Sequence, residues 1–305
     1  MNLRHAQYVL AILQEGSFTA AARKLYVSQP SLSQTIKQLE STLGTPIFNR
    51  TSDTLKLTYA GQRYVEAAQK VMVIYDNLLS EIEDMKAEVY GKLRLGVSRQ
   101  RGMNLLPMVL PAFIEKYPRV EILLEEHGSD QLERMVQDGT CDIALVTTNP
   151  KVNQLEYILI ENEQLVLMAS KDTEIAKRHI DGTQIDISDA ADESFISLKA
   201  GHSVRVIQDQ LFAHYNIKPH IILESDSFET AKHIAARAKA VMITPYVYIE
   251  NVPVLRALVN CYPIRNNGYE RDFYLCHRKG LYFTRYMNDF LEAIKQQAKA
   301  YRMEE

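Results

Sequence analysis

One stretch of the sequence constrains the fold more than any other, and it runs from Ser17 to Leu43. It reads as two short helices joined by a tight turn. Ser17 and Ser28 each stand where a serine hydroxyl can accept from an otherwise unpaired amide in the first turn of a helix. The second helix carries an apolar stripe at helical spacing. The stripe consists of Leu32, Ile36, Leu39 and Leu43.

The opposite face of this second helix is short and polar. Polar side chains are rotated away from the apolar stripe, at about 100° per residue. Such groups hydrogen-bond base edges and phosphates, which is typical of a recognition helix in a major groove. Any small helical bundle also has a polar outer face, so spacing alone leaves both interpretations open. The residues predicted to face DNA are Gln29, Pro30, Ser31, Ser33, Gln34 and Lys37.

The residues that follow predict a two-stranded wing, with Ile47 to Arg50 and Leu55 to Thr58 on either side of a polar tip. Over the first sixty residues or so, the motifs SFTAAARKL, SQPSLSQTIKQLE, LGTPIFNR and LTYAG occur in register, and a set this dense is far more specific than one short motif. Here the chain resembles the LysR-type transcriptional regulators. The resemblance implies that Arg50 acts from the wing at a minor groove or its flanking phosphates. The alternative is a surface Arg50 paired with Asp53.

The charge distribution supports a separate N-terminal module. The whole chain has a formal net charge of -3. Residues 1–65 carry seven Lys and Arg side chains and three Asp and Glu side chains, a net charge of +4. A local positive field on a small domain is what a DNA-binding module requires. We therefore predict a winged helix-turn-helix domain, all-α apart from its wing, over residues 1–60.

A long helix without internal glycine or proline is predicted next, over residues 61–90. Its apolar residues alternate spacings of four and three, the heptad pattern of a two-helix supercoil. We predict a linker and dimerisation helix, because two recognition helices must address two half-sites at a fixed separation. The resemblance implies a homo-oligomer, with tetramers common. The predicted seam is Tyr64, Ala68, Val71, Tyr75, Leu78, Ile82 and Met85.

From residue 91 onward, strands alternate with helices, which predicts parallel α/β sheets. A polar loop is expected from Ser98 to Gly102, before a helix that begins near Asn104. The resemblance implies a two-lobed, periplasmic-binding-protein-like effector module over 91–305. Lobe 1 would comprise 91–163 and 268–305, and lobe 2 would comprise 164–267. A ligand cleft would lie at the double crossing between the lobes, near 162–168 and 262–272.

Candidate effector contacts follow from where ligands bind in open α/β sheets, which is beyond the carboxyl ends of strands and at helix N-termini. Hydroxyls and free amides at these places favour an anionic ligand, and the resemblance implies a small carboxylate. Serine and threonine there are also ordinary helix caps, which remains the alternative. Arg101 and Arg205 are, like Arg99, either charge-recognition residues or solvated ones. The predicted effector-binding residues are Ser98, Arg99, Ser129, Thr147, His202, Ser203 and Ser225.

One segment departs from the family pattern. Before Pro245 the family usually has a Gly-x-Gly stretch, whereas this chain has Ala238, Lys239 and Ala240. Alanine disfavours positive φ, so we expect a reshaped turn there.

Several classes of protein and site are not indicated. The chain has no glycine-rich phosphate loop, no nucleophile elbow and no metal-ligand spacing, so we predict no catalytic residues, no cofactor and no metal. The three cysteines are scattered, which favours reduced thiols in a cytoplasmic protein over a redox-sensing pair. The N-terminus lacks signal-peptide architecture, and no run of 18 apolar residues suggests a membrane span.

The sequence thus predicts a sequence-specific DNA-binding transcriptional regulator, modulated by a small, anionic effector. Its partners would be double-stranded DNA, the effector, further copies of itself and, for an activator, RNA polymerase. One alternative is an architectural DNA binder with a degenerate sensor. Another is a solute-binding or enzymatic module with an appended helical domain.

Overall fold

The computed structural model describes residues 2–49, 55–85, 89–148, 150–250, 252–265 and 271–299. The chain divides into two compact units. The first unit comprises residues 1–89 and 279–284, and the second comprises residues 90–278 and 285–305.

The first unit begins with three short helices whose starts are fixed by side-chain caps. The side chains of Asn2, Ser17 and Ser28 accept hydrogen bonds from amides in the first turns of these helices. The two serine caps are those predicted from the sequence. The elements of this unit are α1 Leu3–Glu15, α2 Phe18–Lys24, α3 Gln29–Leu43, β1 Phe48–Asn49, β2 Lys56–Leu57 and α4 Tyr59–Asp84.

The core of the first unit lies between α1, α2, α3 and the start of α4. The buried side chains of α3 are the first three members of its predicted stripe, Leu32, Ile36 and Leu39. Leu43 is exposed instead, at the last residue of the helix. From α4, the buried residues in this core are Tyr64, Val65 and Ala68.

Residues 279–284 contact the second half of α4 through the side chains of Asn77 and Asp84. The Asn77 amide nitrogen donates to the Gly280 carbonyl oxygen at 2.5 Å, and its oxygen accepts from the Tyr282 amide at 2.8 Å. The Tyr282 hydroxyl donates to Asp84, which lies about two helical turns after Asn77 on α4. The Asn77 amide thus binds this segment with both its nitrogen and its oxygen, and the Tyr282–Asp84 hydrogen bond adds to that contact.

The second unit is built from alternating strands and helices. In chain order they are β3 Gly91–Val97, α5 Arg99–Lys116, β4 Val120–Glu126, α6 Ser129–Gln137, β5 Ile143–Val146, β6 Leu155–Glu163, β7 Leu165–Ser170, α7 Glu174–Arg178, β8 Ser194–Leu198, α8 Ser203–His214, β9 His220–Ser225, α9 Phe228–Ala235, β10 Val241–Pro245, α10 Val247–Glu250, α11 Pro253–Arg256, β11 Val259–Pro263, β12 Arg271–Arg278 and α12 Arg285–Lys299.

Two five-stranded sheets define two lobes of this unit. The first sheet has the order β4-β3-β5-β12-β6, and the second has the order β11-β7-β10-β8-β9. The chain leaves the first sheet between β6 and β7 and returns between β11 and β12. The helix α12 then packs on the first lobe, where the Phe290 ring meets Phe113 of α5 at a centroid distance of 5.5 Å.

The sheets are mixed, whereas the alternation of strands and helices predicted parallel sheets. Strands β3, β4 and β5 are parallel, as are β8, β9 and β10. The strands next to the crossings, β6, β7, β11 and β12, pair antiparallel. The reason is that a chain that crosses twice must run out and back, so its crossing strands point in opposite directions.

Two local predictions also need correction or comment. The expected polar loop from Ser98 to Gly102 is wrong, because α5 begins at Arg99 and the Ser98 hydroxyl accepts from the Arg101 amide at 3.4 Å. The segment from Ala238 to Ala240 turns without positive φ, and the Ala240 amide donates to the Ala238 carbonyl at 2.8 Å. Alanine therefore meets the steric requirement of this turn.

Candidate functional site

The outer face of α3 is polar and open. Ser33 is half-buried beside the apolar stripe. The other five predicted DNA-facing residues of this helix are exposed, namely Gln29, Pro30, Ser31, Gln34 and Lys37. The helix thus offers amide, hydroxyl and ammonium groups along one accessible face, which is the chemistry that reads base edges and phosphates.

The turn before α3 contains an aromatic residue that the sequence analysis passed over. Tyr26 has a φ of 54° and its side chain is 96% exposed. Its neighbours Leu25 and Val27 pack against the core of the unit instead. A tyrosine hydroxyl is a common donor to phosphate oxygens. The signal was present in the sequence as a bulky aromatic residue between two apolar ones in a turn.

The wing is anchored to α3 by one carboxylate. The Glu40 Oε1 atom accepts from the amides of Ile47 and Phe48 at 2.9 and 3.3 Å. Strands β1 and β2 then pair Phe48 with Leu57. Arg50 and the predicted tip lie outside the described residues. The start of the wing is therefore fixed relative to the recognition helix.

The first residues of the predicted dimer seam are buried, and the later ones are exposed. Tyr64 and Ala68 belong to the core of their own unit, so the prediction that they contact a second chain is wrong. A 3.5-residue repeat identifies an apolar stripe on a helix. It does not show whether a helix of a second chain or the core of the same domain covers that stripe. Val71 is half-buried. Further along α4 and in the turn directly after it, large apolar side chains are exposed, namely Ile74, Tyr75, Leu78, Leu79, Ile82 and Met85.

In the second unit, one guanidinium connects the two lobes. Arg271 Nε donates to Ser203 Oγ at 3.1 Å, and its Nη2 donates to Thr147 Oγ1, also at 3.1 Å. Thr147 follows β5 in the first lobe, and Ser203 opens α8 in the second. The two hydroxyl oxygens are 3.5 Å apart. The Ser129 hydroxyl accepts from the Thr147 amide at 3.1 Å. Three of the seven predicted effector residues thus meet around Arg271.

The third nitrogen of Arg271 completes a buried ion cluster. Its Nη1 donates to Glu163, and the same carboxylate also pairs with Arg101. All three side chains are less than one-tenth exposed. The Arg101 guanidinium lies over the Phe273 ring, 3.9 Å from its centroid. Sequence reasoning gave Arg101 the same standing as Arg99, and it did not identify Glu163 or Arg271.

The electrostatic character of the cluster is visible at Tyr248, a fully buried phenol. Burial acts to raise its pKa, but the charges of Arg101 and Arg271 lower it, and the net shift is downward. Two neighbouring guanidiniums therefore favour negative charge at this place. Burial also lowers the pKa of Arg101, and the second guanidinium contributes to that shift.

The remaining predicted effector residues have other surroundings. Ser98 caps α5, and Arg99 is exposed. His202 is the cap residue of α8 without a side-chain cap bond. The Ser225 hydroxyl accepts from the Ser227 amide at 3.0 Å, in the turn that precedes α9. Ser225 and Ser98 thus have the ordinary capping and turn roles that were left open.

A second polar bridge joins the lobes beside the cluster. The Gln100 side chain donates to Glu229 Oε1 at 2.8 Å, from α5 to α9. Glu229 also pairs with Lys232, an almost fully buried lysine, at 2.6 Å. The Lys232 ammonium donates to the Tyr248 carbonyl at 3.0 Å. The lobes are thus joined by polar contacts at two places in the described part of the chain. One contact is made by Arg271 at the start of β12, and the other is made by Gln100 in the first turn of α5.

No other chemistry is indicated in the described part of the chain. No three His, Cys, Asp or Glu side chains in these ranges come together as a metal site. None of the described helices is sufficiently long and apolar to traverse a lipid bilayer. Burial raises the pKa of Cys261 and Cys276 to about 12 and that of Cys141 to about 11.

Comparison with known families covers nearly the whole chain. Residues 3–62 match the bacterial regulatory helix-turn-helix proteins of the lysR family, and residues 86–299 match the LysR substrate binding domain. The uncharacterized HTH-type transcriptional regulator YcgK of Bacillus subtilis (strain 168) is 30% identical over 259 residues, which is 80% of each chain. The HTH-type transcriptional regulator CbbR of Rhodospirillum rubrum is 27% identical over 231 residues, covering 76% of this chain and 75% of CbbR.

Solved structures share the fold. A full-length OxyR variant from Pseudomonas aeruginosa gives a TM-score of 0.72 at 22% identity, over all of this chain and 98% of the OxyR chain. Full-length BenM gives a TM-score of 0.57 at 23% identity, over 98% of this chain and 97% of its own. Both family matches, the relatives and the shared fold agree, and the chain belongs to the LysR family of DNA-binding transcriptional regulators, with a helix-turn-helix domain and an effector-binding domain.

Proposed function

We propose that the regulator reads DNA with α3 and the wing. Gln29, Pro30, Ser31, Ser33, Gln34 and Lys37 would face a major groove, and Arg50 would act from the wing. Tyr26 would add a phosphate contact from the turn. The open polar face of α3 supports this assignment. The division into residues 1–60, 61–90 and 91–305 belongs to the same proposal.

Self-association through α4 is part of the proposal. The exposed apolar side chains from Ile74 to Met85 would pair with the same stretch of a second copy, because a two-fold axis places identical surfaces opposite each other. Two such dimers would form a tetramer. As an activator it would contact RNA polymerase, and it would act in the cytoplasm, where bacterial DNA is found.

The effector of our proposal is a small anion that binds between the lobes. The observation that carries this is Arg271, a buried guanidinium hydrogen-bonded to Thr147 of one lobe and Ser203 of the other. A ligand that contacts these groups touches both lobes at once, so binding is linked to their relative position. The Ser129 hydroxyl accepts a hydrogen bond from the Thr147 amide and so helps to position Thr147.

The test is a binding screen followed by a footprint. Small carboxylates and phosphate esters are screened by thermal shift on the full chain, and each ligand that binds is added to a footprint of the operator. Arg271→Lys keeps the charge but cannot hold three partners. It should lose about 1.5–3 kcal/mol of ligand affinity, or roughly tenfold or more. The matched control is Arg134→Lys, at an exposed position of α6.

The proposal fails if Arg271→Lys and the control respond to the ligand alike. A chain whose footprint is the same with every ligand, although ligands bind, would instead support the architectural DNA binder with a degenerate sensor.

A further inference from the structure

The Glu163 carboxylate already occupies the position of an anion between two guanidiniums. Its side chain is 1% exposed, and its contacts include Arg101 of α5 and Arg271 of β12. Glu163 and Arg271 are also register partners on the paired strands β6 and β12. The pairing therefore fixes Glu163 beside Arg271 through the backbone as well as through the ion pair.

This carboxylate balances the charge of the cluster. Arg101 and Arg271 contribute two positive charges, and Glu163 contributes one negative charge. Glu161, two residues away on β6, is also buried and raises the pKa of Arg101. The four side chains together are formally neutral. A further buried anion would make the cluster negative, and an unbalanced buried charge is strongly unfavourable.

One donor in the cluster is not used. Among the residues that the structure describes, the Nε atom of Arg101 is buried and has no hydrogen-bond partner. Leaving such a donor unpaired in the interior is unfavourable. The Tyr248 hydroxyl also interacts with both guanidiniums, so an anion that replaces Glu163 would find donors already arranged around its position.

The ion pair places Glu163 next to the residue that contacts both lobes, Arg271. Glu163 ends β6, immediately before the chain crosses to β7, and Arg271 begins β12, after the return crossing. Through Arg271, the carboxylate is one side chain away from Thr147 and Ser203. Any group that takes over the contacts of Glu163 necessarily acts on the guanidinium that joins the lobes.

We propose that Glu163 is an internal counter-anion with which the anionic group of the effector must compete for Arg101 and Arg271. Glu163 thereby sets how tightly the site binds anions. The inference rests on the proposed function, since it concerns the same site. It predicts that this chain discriminates against weakly binding anions, because only a ligand that replaces a carboxylate keeps the cluster neutral.

The experiment removes the charge of Glu163 and keeps its shape. Full-length wild type and Glu163→Gln are titrated with acetate against chloride at constant ionic strength, and thermal unfolding is followed. We expect a saturable acetate stabilisation of Glu163→Gln, with an apparent affinity at least about tenfold above that of the wild type. Glu156→Gln, an exposed position on the same strand, should behave as the wild type does.

A double variant locates the bound anion. Glu163→Gln with Arg101→Gln removes one charge of each sign and restores neutrality, so the gain in acetate affinity should disappear. The same acetate response in wild type, Glu163→Gln and the double variant would overturn the proposal. If Glu163→Gln does not fold, Glu163→Asp carries the test, because it keeps the charge but shortens the reach. A stronger acetate response than in the wild type then supports the proposal, and an equal one overturns it.

The acetate titration uses no DNA, so its result is separate from that of the regulatory test. Acetate binding without any ligand-dependent footprint would keep the role of Glu163 and reject the effector function. A ligand-dependent footprint without acetate binding would support the effector function and reject the proposed role of Glu163.

Discussion

Gly61 lies where α4 begins to pass the wing, and a side chain would not fit there. A Cβ atom on this residue would be 2.1 Å from the Ile47 carbonyl oxygen. The same carbonyl accepts from the Thr58 amide at 2.9 Å, which ties the second wing strand to the first. The glycine of the LTYAG motif is therefore required by close backbone approach, not by a positive φ.

Gly61→Ala should destabilise the first unit by about 1–3 kcal/mol, because the backbone atoms in contact cannot move aside as a side chain would. Thermal unfolding of the full chain measures this, and DNA affinity should fall with it. Gly128→Ala is the control, since a Cβ there meets nothing within 4 Å. Equal stabilities of the two variants would show that the wing moves away from α4 without cost.

The three cysteines illustrate how burial controls reactivity. Their thiols are buried, and their raised pKa values keep them protonated near neutrality. The thiolate is the reactive form, so we expect these three thiols to be unreactive while the chain is folded.

We predict that a thiol reagent at about pH 8, near the ordinary cysteine pKa, labels no cysteine of the folded chain and labels all three when the chain is unfolded. Because the folded pKa values lie above the unfolded ones, the unfolded chain loses protons first as the pH rises. The stability from these thiols is thus fully present below about pH 8.5 and is lost progressively as the pH rises towards the folded values of about 11 and 12. Labelling of a folded-state cysteine at the rate of a free thiol would contradict this.

At the scale of elements, α4 has two roles along its length. Its start completes the core of the DNA-binding unit, and its later part exposes Leu78 and Ile82 with other apolar side chains. A single amide at Asn77 binds the segment 279–284, which is continuous with β12 and α12. The contact with residues 279–284 therefore lies within the exposed part of α4.

Leu78→Asp should convert the protein to monomers. Each of two chains would lose about 1.5–3 kcal/mol of buried leucine and place a charge in the interface. Sedimentation measures the change. Gln69→Asp is the control, about half a turn around the helix at about 100° per residue. A Leu78→Asp protein with the wild-type oligomeric state would exclude this stretch of α4 as the interface.

The elements that were predictable are those determined by local sequence. The helix pair follows from two serine caps and one apolar stripe, and each of these signals lies within a few residues of the feature it specifies. The part of the seam that remains exposed is still a prediction, because periodicity identifies an apolar stripe without identifying the surface that covers it. Tyr64 and Ala68 are covered by the chain itself.

The ion cluster was not predictable in this way. Glu163 and Arg271 are separated by 108 residues, and only the pairing of β6 with β12 brings them together. Arg101 was treated as equivalent to Arg99 because Ser98 to Gly102 was taken as a loop. In the observed helix the two side chains point to different surroundings, and only Arg101 is buried. Serine and threonine positions at strand ends were found more readily, since helix starts have a local signature.

At the scale of the whole molecule, we propose that the chain binds selected DNA sites through the outer face of α3. Positive charge is concentrated in the N-terminal domain, because residues 1–65 are net positive in a chain whose net charge is -3. Non-specific attraction to phosphates would follow from that charge alone. Selectivity must come from side chains such as Gln34, whose replacement by alanine should cost about 1–3 kcal/mol at one base position.

The most direct measurement is to select genomic fragments retained by the purified full chain at physiological salt and to sequence them, with Gln34→Ala in parallel. The account predicts that the wild type enriches a few sites, each with two half-sites, and that the variant relaxes preference at one position of each half-site. Uniform, salt-sensitive retention by both proteins would contradict the account, since it would mean that α3 reads no sequence.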